Sequence, residues 1–273
     1  MTRVETSDTA LHPHPSAGAT QPPILVVKFG GTALGTPARI WLAALRIREQ
    51  IKQGFLPLAV VSARGRTTDR LLKEIRGACR ANGNVGAERE VDRALATGET
   101  LSAALLAASL VAAGVVAQSV SAAEAVLLAD GPYGAARLRE LRHGRIAELL
   151  AKGVVPVVAG FQGVREDGEL VTLGRGSSDV TAVFLAAALS ADGCHIVTDV
   201  DGIYEEDPRV SPGSPRYKAL SFEGLVDLTD RGAHVVHPGA ARNAHAAAVP
   251  LRIYHYRASL EEPGGTFVGS ELQ

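Results

Sequence analysis

Residues 24–32 read ILVVKFGGT, and this stretch decides how the folded part of the chain begins. A short apolar run that ends at a Gly-Gly pair is typical of a buried parallel strand followed by a tight turn. Thr36 and Pro37 then supply a helix cap and a first helical residue, and helical apolar spacing continues over 38–53. Strand, glycine turn and helix in this order predict the first βα unit of an α/β protein.

The rest of the chain repeats this alternation. Further strands are predicted at 58–63, 115–120, 154–159, 194–200 and 251–256, and further helices at 68–80, 88–113 (broken near Gly98), 136–152, 179–190, 222–231 and 239–248. We therefore expect an α/β fold with a mainly parallel sheet and helices on both faces, divided into two lobes near Gly163. Residues 1–23 lack hydrophobic periodicity and are predicted to be a disordered tail.

The composition excludes several classes of protein. Of 273 residues, 46% are hydrophobic and 21% charged, and the formal net charge is -1, as in soluble globular proteins. No block of Lys and Arg indicates a nucleic-acid partner. The longest apolar run, 101–118, is interrupted by Ser102 and Ser109, so we expect no membrane anchor. Cys79 and Cys194 lie far apart in a chain without a signal pattern, which indicates reduced thiols and a cytoplasmic location.

The chain has neither a P-loop nor a dinucleotide-binding glycine motif, but glycine turns follow three predicted strands. In the first turn, Lys28 would neutralise a phosphate that the backbone of Gly30 and Gly31 can approach. The alternative is an ordinary turn with a solvated lysine. Ligands in open α/β sheets bind where such turns leave the strands, which favours a site at this edge.

The other two turns have equally open interpretations. Residues 174–179 read GRGSSD, where a helix N-terminus would attract an anion and Arg175 could clamp a carboxylate; a plain helix cap is the alternative. Residues 198–204 read TDVDGIY and are followed by DPR at 207–209. Tyr204 and Arg209 would suit a nucleoside and its phosphates, and a simple Asp-Gly turn is the alternative.

These turns occur together with VSA at 61–63, TTD at 67–69, GE at 98–99 and VPVVAGFQG at 155–163. In this order they resemble the aspartate kinases of the amino-acid kinase superfamily, from about residue 24 to residue 268. The resemblance implies a three-layer α/β/α sandwich in which lobe 24–163 binds the amino acid and lobe 164–273 binds ATP.

The activity that this resemblance implies is phosphorylation of the aspartate side-chain carboxylate by ATP, the first step towards lysine, threonine and methionine. Mg²⁺ would be bound through the ATP phosphates, with no metal site on the protein itself. The substrate carboxylate is ionised at neutral pH, with a pKa of about 3.9, so no general base is needed.

The family's functional residues can be carried over by position. Lys28 and Asp179 would be the catalytic pair, with Asp179 organising Lys28. The resemblance implies that aspartate is bound by Thr68, Glu99, Phe161, Arg175 and Ser178. It implies that ATP is bound by Lys28, Gly30, Gly31, Thr32, Thr198, Asp199, Tyr204, Arg209 and His234.

Three positions depart from the family pattern: Ala33 replaces the usual Ser, Ser177 the usual Gly, and His234 the usual Lys. These changes leave open a kinase for an aspartate analogue in a specialised pathway, and His234 leaves open a binding protein that has lost turnover. Feedback-regulated members continue into ACT domains, whereas this chain stops at Gln273. We therefore expect a catalytic domain without ACT domains, acting as a homodimer or with a separate regulatory subunit.

Overall fold

The computed structural model describes residues 22–79, 86–142, 144–208, 210–233 and 235–270. Almost all of the predicted disordered tail lies outside these ranges. The helices are α1 (Pro37–Lys52), α2 (Thr67–Ala78), α3 (Glu88–Ala112), α4 (Ala122–Ala125), α5 (Arg145–Ala151), α6 (Ser178–Ala188), α7 (Phe222–Asp230) and α8 (Pro238–Ala246). The strands are β1 (Ile24–Phe29), β2 (Leu56–Val61), β3 (Ala117–Val120), β4 (Leu127–Asp130), β5 (Arg137–Leu141), β6 (Val155–Ala159), β7 (Gln162–Val164), β8 (Leu170–Thr172), β9 (Gly193–Thr198), β10 (Ala219–Leu220), β11 (Leu251–His255) and β12 (Thr266–Val268).

Eight strands form the main sheet, in the order β10-β12-β11-β9-β1-β2-β6-β3. Every pairing in it is parallel except that of β11 with β12. β1 lies between β9 and β2, and its register places Lys28 beside Val60 and Ile196. The predicted mainly parallel sheet is confirmed. The short strands β10 and β12 were not predicted.

Helices cover both faces of this sheet. Alternate residues of β1 point to opposite sides, so that Val27 packs in a cluster with α1 and α3 while Val26 packs in a cluster with α5 to α8. The predicted cap of α1 is also present, because the Thr36 hydroxyl accepts from the Arg39 amide. These two cores make the three-layer α/β/α sandwich that the sequence predicted.

A second, four-stranded sheet has the order β5-β4-β7-β8 and was not predicted. The helix predicted over 136–152 is wrong in its first half, where β5 pairs antiparallel with β4 and only α5 is helical. Leu138 and Leu141 are three residues apart, which is helical spacing, but this segment pairs with β4 through a register shift that a strand of regular period would not need. This small sheet brings β8, and the turn after it, beside α3.

The predicted break in α3 near Gly98 is also wrong, because the helix is continuous over 25 residues. A Cβ at residue 98 would lie 2.8 Å from the Cβ of Ala63, so glycine is needed there for close approach rather than for a bend. By length and composition α3 could cross a membrane, but half of its apolar window is buried in the fold. Leu106 and Leu110 are fully buried against the sheet, as in the core helix of a globular domain.

Candidate active site

The carboxyl ends of β1, β2, β6 and β9 meet at one edge of the main sheet, and backbone hydrogen bonds join the loops that leave them. Ser62 N donates to Phe29 O over 3.1 Å, and Gly160 N donates to Val61 O over 3.0 Å. Gly30 N donates to Val197 O over 2.9 Å. The predicted site residues that follow these four strands are therefore held together at the place where open α/β sheets bind ligands.

A buried ion pair lies at the centre of this edge. Lys28 Nζ is 2.6 Å from Asp179 Oδ1, and only 10% and 8% of the two side chains are exposed. The other carboxylate oxygen, Oδ2, accepts from the His237 amide at 3.1 Å. Asp179 therefore joins the end of β1 to the start of α8, where the His237 ring accepts from the Gly239 amide and caps the helix. The sequence analysis did not select His237.

Glu99 is a second buried acid at this edge, on α3. Its Oε1 accepts from the Ala63 amide at 2.9 Å, whereas its buried Oε2 has no hydrogen-bond partner within the described residues. Burial raises the pKa of this carboxyl group to about 7. Leaving a buried acceptor unpaired costs ~1–3 kcal/mol, so Oε2 is an acceptor with room for a donor from outside the described residues.

The mouth of the site is bridged by an exposed ion pair. Arg175 Nη2 donates to Asp69 Oδ1 over 2.6 Å, and the Arg175 side chain is 69% exposed. Asp69 and the half-buried Thr68 lie in the first turn of α2. The bridge thus connects α2 to the turn that precedes α6. Asp69 belongs to the TTD motif at 67–69 but was not among the predicted site residues.

Phe161 and Ser178 line the interior between β6 and α6, and both are buried. Phe161 has a φ of 69°, a left-handed conformation that costs a non-glycine residue ~1–2 kcal/mol. Its amide donates to Thr181 Oγ1 at 3.2 Å, which ties the strained corner to α6. Gly160 lies so close to Ser178 that a Cβ there would come within 2.9 Å of the Ser178 Cβ.

The structure accounts for two of the three departures from the family pattern. The Ser177 hydroxyl donates to the Gly174 carbonyl at 2.5 Å and closes the turn that carries Arg175, a bond that glycine could not make. Ala33 is buried in the apolar cluster of α1 and α3, where its methyl group packs without a polar partner. His234, like Arg209, lies outside the described residues.

The predicted nucleotide residues fall into two groups. Thr198, Asp199 and Tyr204 line a cavity of about 950 Å³ between the β9 loop and the end of α7. The Tyr204 hydroxyl donates to Asp201 Oδ1 at 2.8 Å, which orients its ring. His255, at the end of β11, also lines this cavity and was not predicted.

The second group lies beside this cavity, at the end of β1. Gly30 and Gly31 follow the strand that carries Lys28, and the exposed Thr32 begins a short 3₁₀ turn. The Gly30 amide already donates to the Val197 carbonyl, so it is not free to donate to an anion. The missing side chain of Gly30 would instead leave room for an anion to approach. The Gly31 carbonyl accepts from the Gly65 amide at 2.8 Å, which fixes the turn against the loop after β2.

Comparison with known proteins gives a consistent result. Residues 23–255 match the model of the Amino acid kinase family. The aspartokinase of Geobacillus stearothermophilus is 42% identical over 249 residues, which are 91% of this chain and 60% of that protein. The chain therefore spans about three-fifths of the length of this relative.

Solved structures agree with the sequence matches. The aspartate kinase from Synechocystis superposes with a TM-score of 0.76 at 37% identity, over 92% of this chain and 40% of that one. E. coli aspartokinase III in complex with aspartate and ADP gives a TM-score of 0.79 at 26% identity, over 92% of this chain and 65% of that one. Because the family model matches most of this chain, the chain belongs to the amino acid kinase family.

Proposed function

We propose that this chain transfers the γ-phosphoryl group of ATP to the side-chain carboxylate of L-aspartate, giving 4-phospho-L-aspartate and ADP. The observation that carries the proposal is that the buried Lys28–Asp179 pair lies at the same sheet edge as the buried Glu99, whose Oε2 has no partner within the described part of the chain. Similarity to aspartokinases, including one solved with aspartate and ADP, supports the choice of substrates.

Lys28 has the charge that this reaction needs. A carboxylate oxygen of the substrate forms a bond to the γ-phosphorus, the bond from that phosphorus to the bridging oxygen breaks, and ADP leaves with the electron pair. Two anions must therefore approach each other, and a buried ammonium lowers the barrier because water screens it little. Asp179 holds Nζ in place; it takes no proton, since the nucleophile is already ionised.

The amino acid would be bound by groups on α2, α3 and α6 and on two connecting segments. Glu99 Oε2 accepts from the substrate α-ammonium, which supplies the donor that this oxygen lacks. Arg175 binds the α-carboxylate from the mouth of the site. The hydroxyl groups of Thr68 and Ser178 orient the substrate, and Phe161 forms the apolar wall against which its methylene group packs.

ATP would extend from the cavity at the β9 loop towards Lys28. Thr198, Asp199 and Tyr204 hold the nucleoside, the turn formed by Gly30, Gly31 and Thr32 receives the phosphates, and Arg209 and His234 complete the set. Within the described ranges, no group of three or more His, Cys, Asp or Glu could hold a metal ion. Mg²⁺ would be carried by the ATP phosphates, where it neutralises part of their charge.

A second candidate is a kinase for an aspartate analogue. The Ser177 hydroxyl narrows and stiffens the turn beside Arg175, and this feature favours a difference in substrate shape near the α-carboxylate. In either case we place the enzyme in the cytoplasm, as a homodimer or with a regulatory subunit. Loss of turnover is disfavoured, because a binding protein does not need the buried Lys28–Asp179 pair.

The test is to incubate the purified chain with Mg-ATP, L-aspartate and hydroxylamine, which converts an acyl phosphate into a coloured hydroxamate. Aspartate analogues, a reaction without amino acid and the Lys28→Met variant serve as controls. We expect hydroxamate with aspartate and none in the controls that lack amino acid or Lys28. Colour with an analogue alone would establish the second candidate, and no colour with any acceptor would contradict both.

A further inference from the structure

Asp92 is a buried acid that has no part in the proposed chemistry. It is 1% exposed and lies on α3, seven residues and about two turns before Glu99, on the same face of the helix. Its carboxylate accepts three hydrogen bonds, from Gly134 N at 2.9 Å, from Thr172 N at 2.6 Å and from Thr172 Oγ1 at 2.8 Å. No cation pairs with it within the described ranges, so these donors alone compensate its burial.

The three donors belong to the small sheet rather than to α3. Thr172 is the last residue of β8, and its carbonyl accepts from Ala136 N at 3.0 Å. Gly134 lies in the turn between β4 and β5. The carboxylate of Asp92 therefore fixes the end of β8 and the neighbouring hairpin to α3.

Arg175 depends on the strand end that Asp92 fixes. It follows Thr172 by three residues, and the intervening Leu173 N donates to Phe161 O at 2.9 Å. After Leu173, the turn that carries Arg175 is closed within the described residues only by the hydrogen bond from Ser177 to the Gly174 carbonyl. Among the described residues, the exposed Arg175 guanidinium contacts only Asp69. The position of Arg175 thus rests mainly on its backbone.

We propose that Asp92 is a positioning residue of the aspartate site, which holds the end of β8 so that Arg175 meets the substrate α-carboxylate. Glu99, on the same face of α3, binds the α-ammonium. One helix therefore sets the distance between Glu99 and Arg175, the two residues that bind the charged groups of the amino acid. The inference rests on the proposed function, whose substrate groups it uses.

The first test is the Asp92→Asn variant. Asparagine has nearly the same shape, but its neutral oxygen accepts more weakly than a carboxylate from the Gly134 and Thr172 amides, and the Thr172 hydroxyl has to turn and accept from the new N–H group. We expect the KM for aspartate to rise about tenfold or more, with kcat and the KM for ATP changed less than about threefold. Thr172→Val should raise the KM for aspartate in the same way. Thr172→Ser keeps the hydroxyl that donates to Asp92 and should leave this KM close to the wild-type value.

Arg46→Met is the matched control for a general loss of stability. Arg46 is as buried as Asp92, and its three hydrogen bonds go to the carbonyls of Tyr256, Ala258 and Ser259, away from Arg175. We expect it to lower the melting temperature while both KM values stay within about twofold of wild type. A rise in the KM for aspartate as large as that of Asp92→Asn would overturn the inference.

A double-mutant cycle tests whether Asp92 acts through Arg175. If it does, adding Asp92→Asn to Arg175→Ala raises the KM for aspartate less than about twofold further. Independent, additive effects of the two substitutions would overturn the inference, and so would a wild-type KM for aspartate in the Asp92→Asn variant.

Tryptic cleavage after Arg175 separates this inference from the proposed function, because it needs no substrate. We expect Asp92→Asn to raise the cleavage rate after Arg175 about fivefold or more relative to cleavage after the exposed Arg66, and Arg46→Met to leave that ratio unchanged. If the wild type does not phosphorylate aspartate but the ratio still rises, the positioning role stands and the function fails. If the ratio does not change, the positioning role is wrong.

Discussion

The proposed aspartate side and the proposed nucleotide side of this site are built in different ways. On the aspartate side, Glu99 and Asp92 are buried on one helix and accept from backbone amides of three separate segments. On the nucleotide side, the hydrogen bonds of Tyr204 and Thr198 go to exposed carboxylates. Under the proposed function, the small amino acid would bind in a preorganised site, whereas the larger nucleotide would bind in an open one. Substitutions on the two sides should therefore have effects of different magnitude on the kinetic constants.

The largest effect is expected where the two sides meet. Lys28→Met removes the buried charge at the point of phosphoryl transfer and should lower kcat about a thousandfold. Asp179→Ala should lower kcat to a similar extent because it leaves Lys28 without its partner.

Both variants should remain folded, which circular dichroism checks. Since an unpaired buried charge is destabilising, the melting temperature is expected to fall as well. More than about a tenth of wild-type kcat in either folded variant would contradict the charge-stabilisation account at that residue.

A smaller effect is expected for Glu99→Gln on the aspartate side. Glutamine keeps an acceptor for the Ala63 amide but loses the negative charge that faces the substrate ammonium. We expect the KM for aspartate to rise about 30-fold or more and the KM for ATP to change little, as measured by initial rates. An equal rise in both constants would mean that the two sides are not separate.

The pH dependence follows from the same residue. In the free enzyme the pKa of Glu99 is raised to about 7, so the carboxyl group is increasingly protonated below that pH and cannot bind an ammonium group. We expect kcat/KM for aspartate to fall about tenfold per pH unit below 7, with kcat/KM for ATP almost constant. The profile of Glu99→Gln should be flat over this range, and a wild-type slope in that variant would assign the titration to another group.

The raised pKa also links pH to stability. Because the folded-state pKa of Glu99 is above its ordinary value, the folded state binds the proton more tightly than the unfolded state does. The resulting stabilisation is fully present below about pH 4.5 and is lost as the pH rises through 7. Without aspartate, the stability of wild type relative to Glu99→Gln should therefore decrease between pH 5 and pH 8 in denaturant titrations.

The smallest effect is expected on the nucleotide side. Tyr204→Phe removes a hydrogen bond to the exposed Asp201, which water replaces readily. We expect the KM for ATP to rise less than about threefold, with the KM for aspartate unchanged. A tenfold rise would show that the nucleotide side is as preorganised as the aspartate side and would remove the contrast.

Much of the main sheet could be predicted, because β1, β2, β6 and β9 are mainly apolar runs of five or six residues with glycine close to their ends. The small sheet could not, because strands of three residues such as β7 and β8 are fixed by their neighbours rather than by their own pattern. Gly98 resembled a helix breaker, and only the packing of Ala63 shows what it does.

The candidate site divides in the same way. Residues such as Lys28, Asp179 and Arg175 could be proposed from the sequence because they lie in glycine-rich motifs that follow strands or begin a helix. Asp92 and His237 act through contacts with residues distant in the sequence, and nothing in their local sequence signals those contacts.

The most direct test of the account is to follow the phosphorus atoms of ATP by ³¹P nuclear magnetic resonance in the presence of Mg²⁺, L-aspartate and the chain. We predict that an acyl phosphate resonance grows as the γ-phosphate resonance falls, only when aspartate is present, and not with Lys28→Met. An unchanged ATP spectrum with wild-type protein and aspartate, or loss of the γ-phosphate at the same rate without aspartate, would contradict the account.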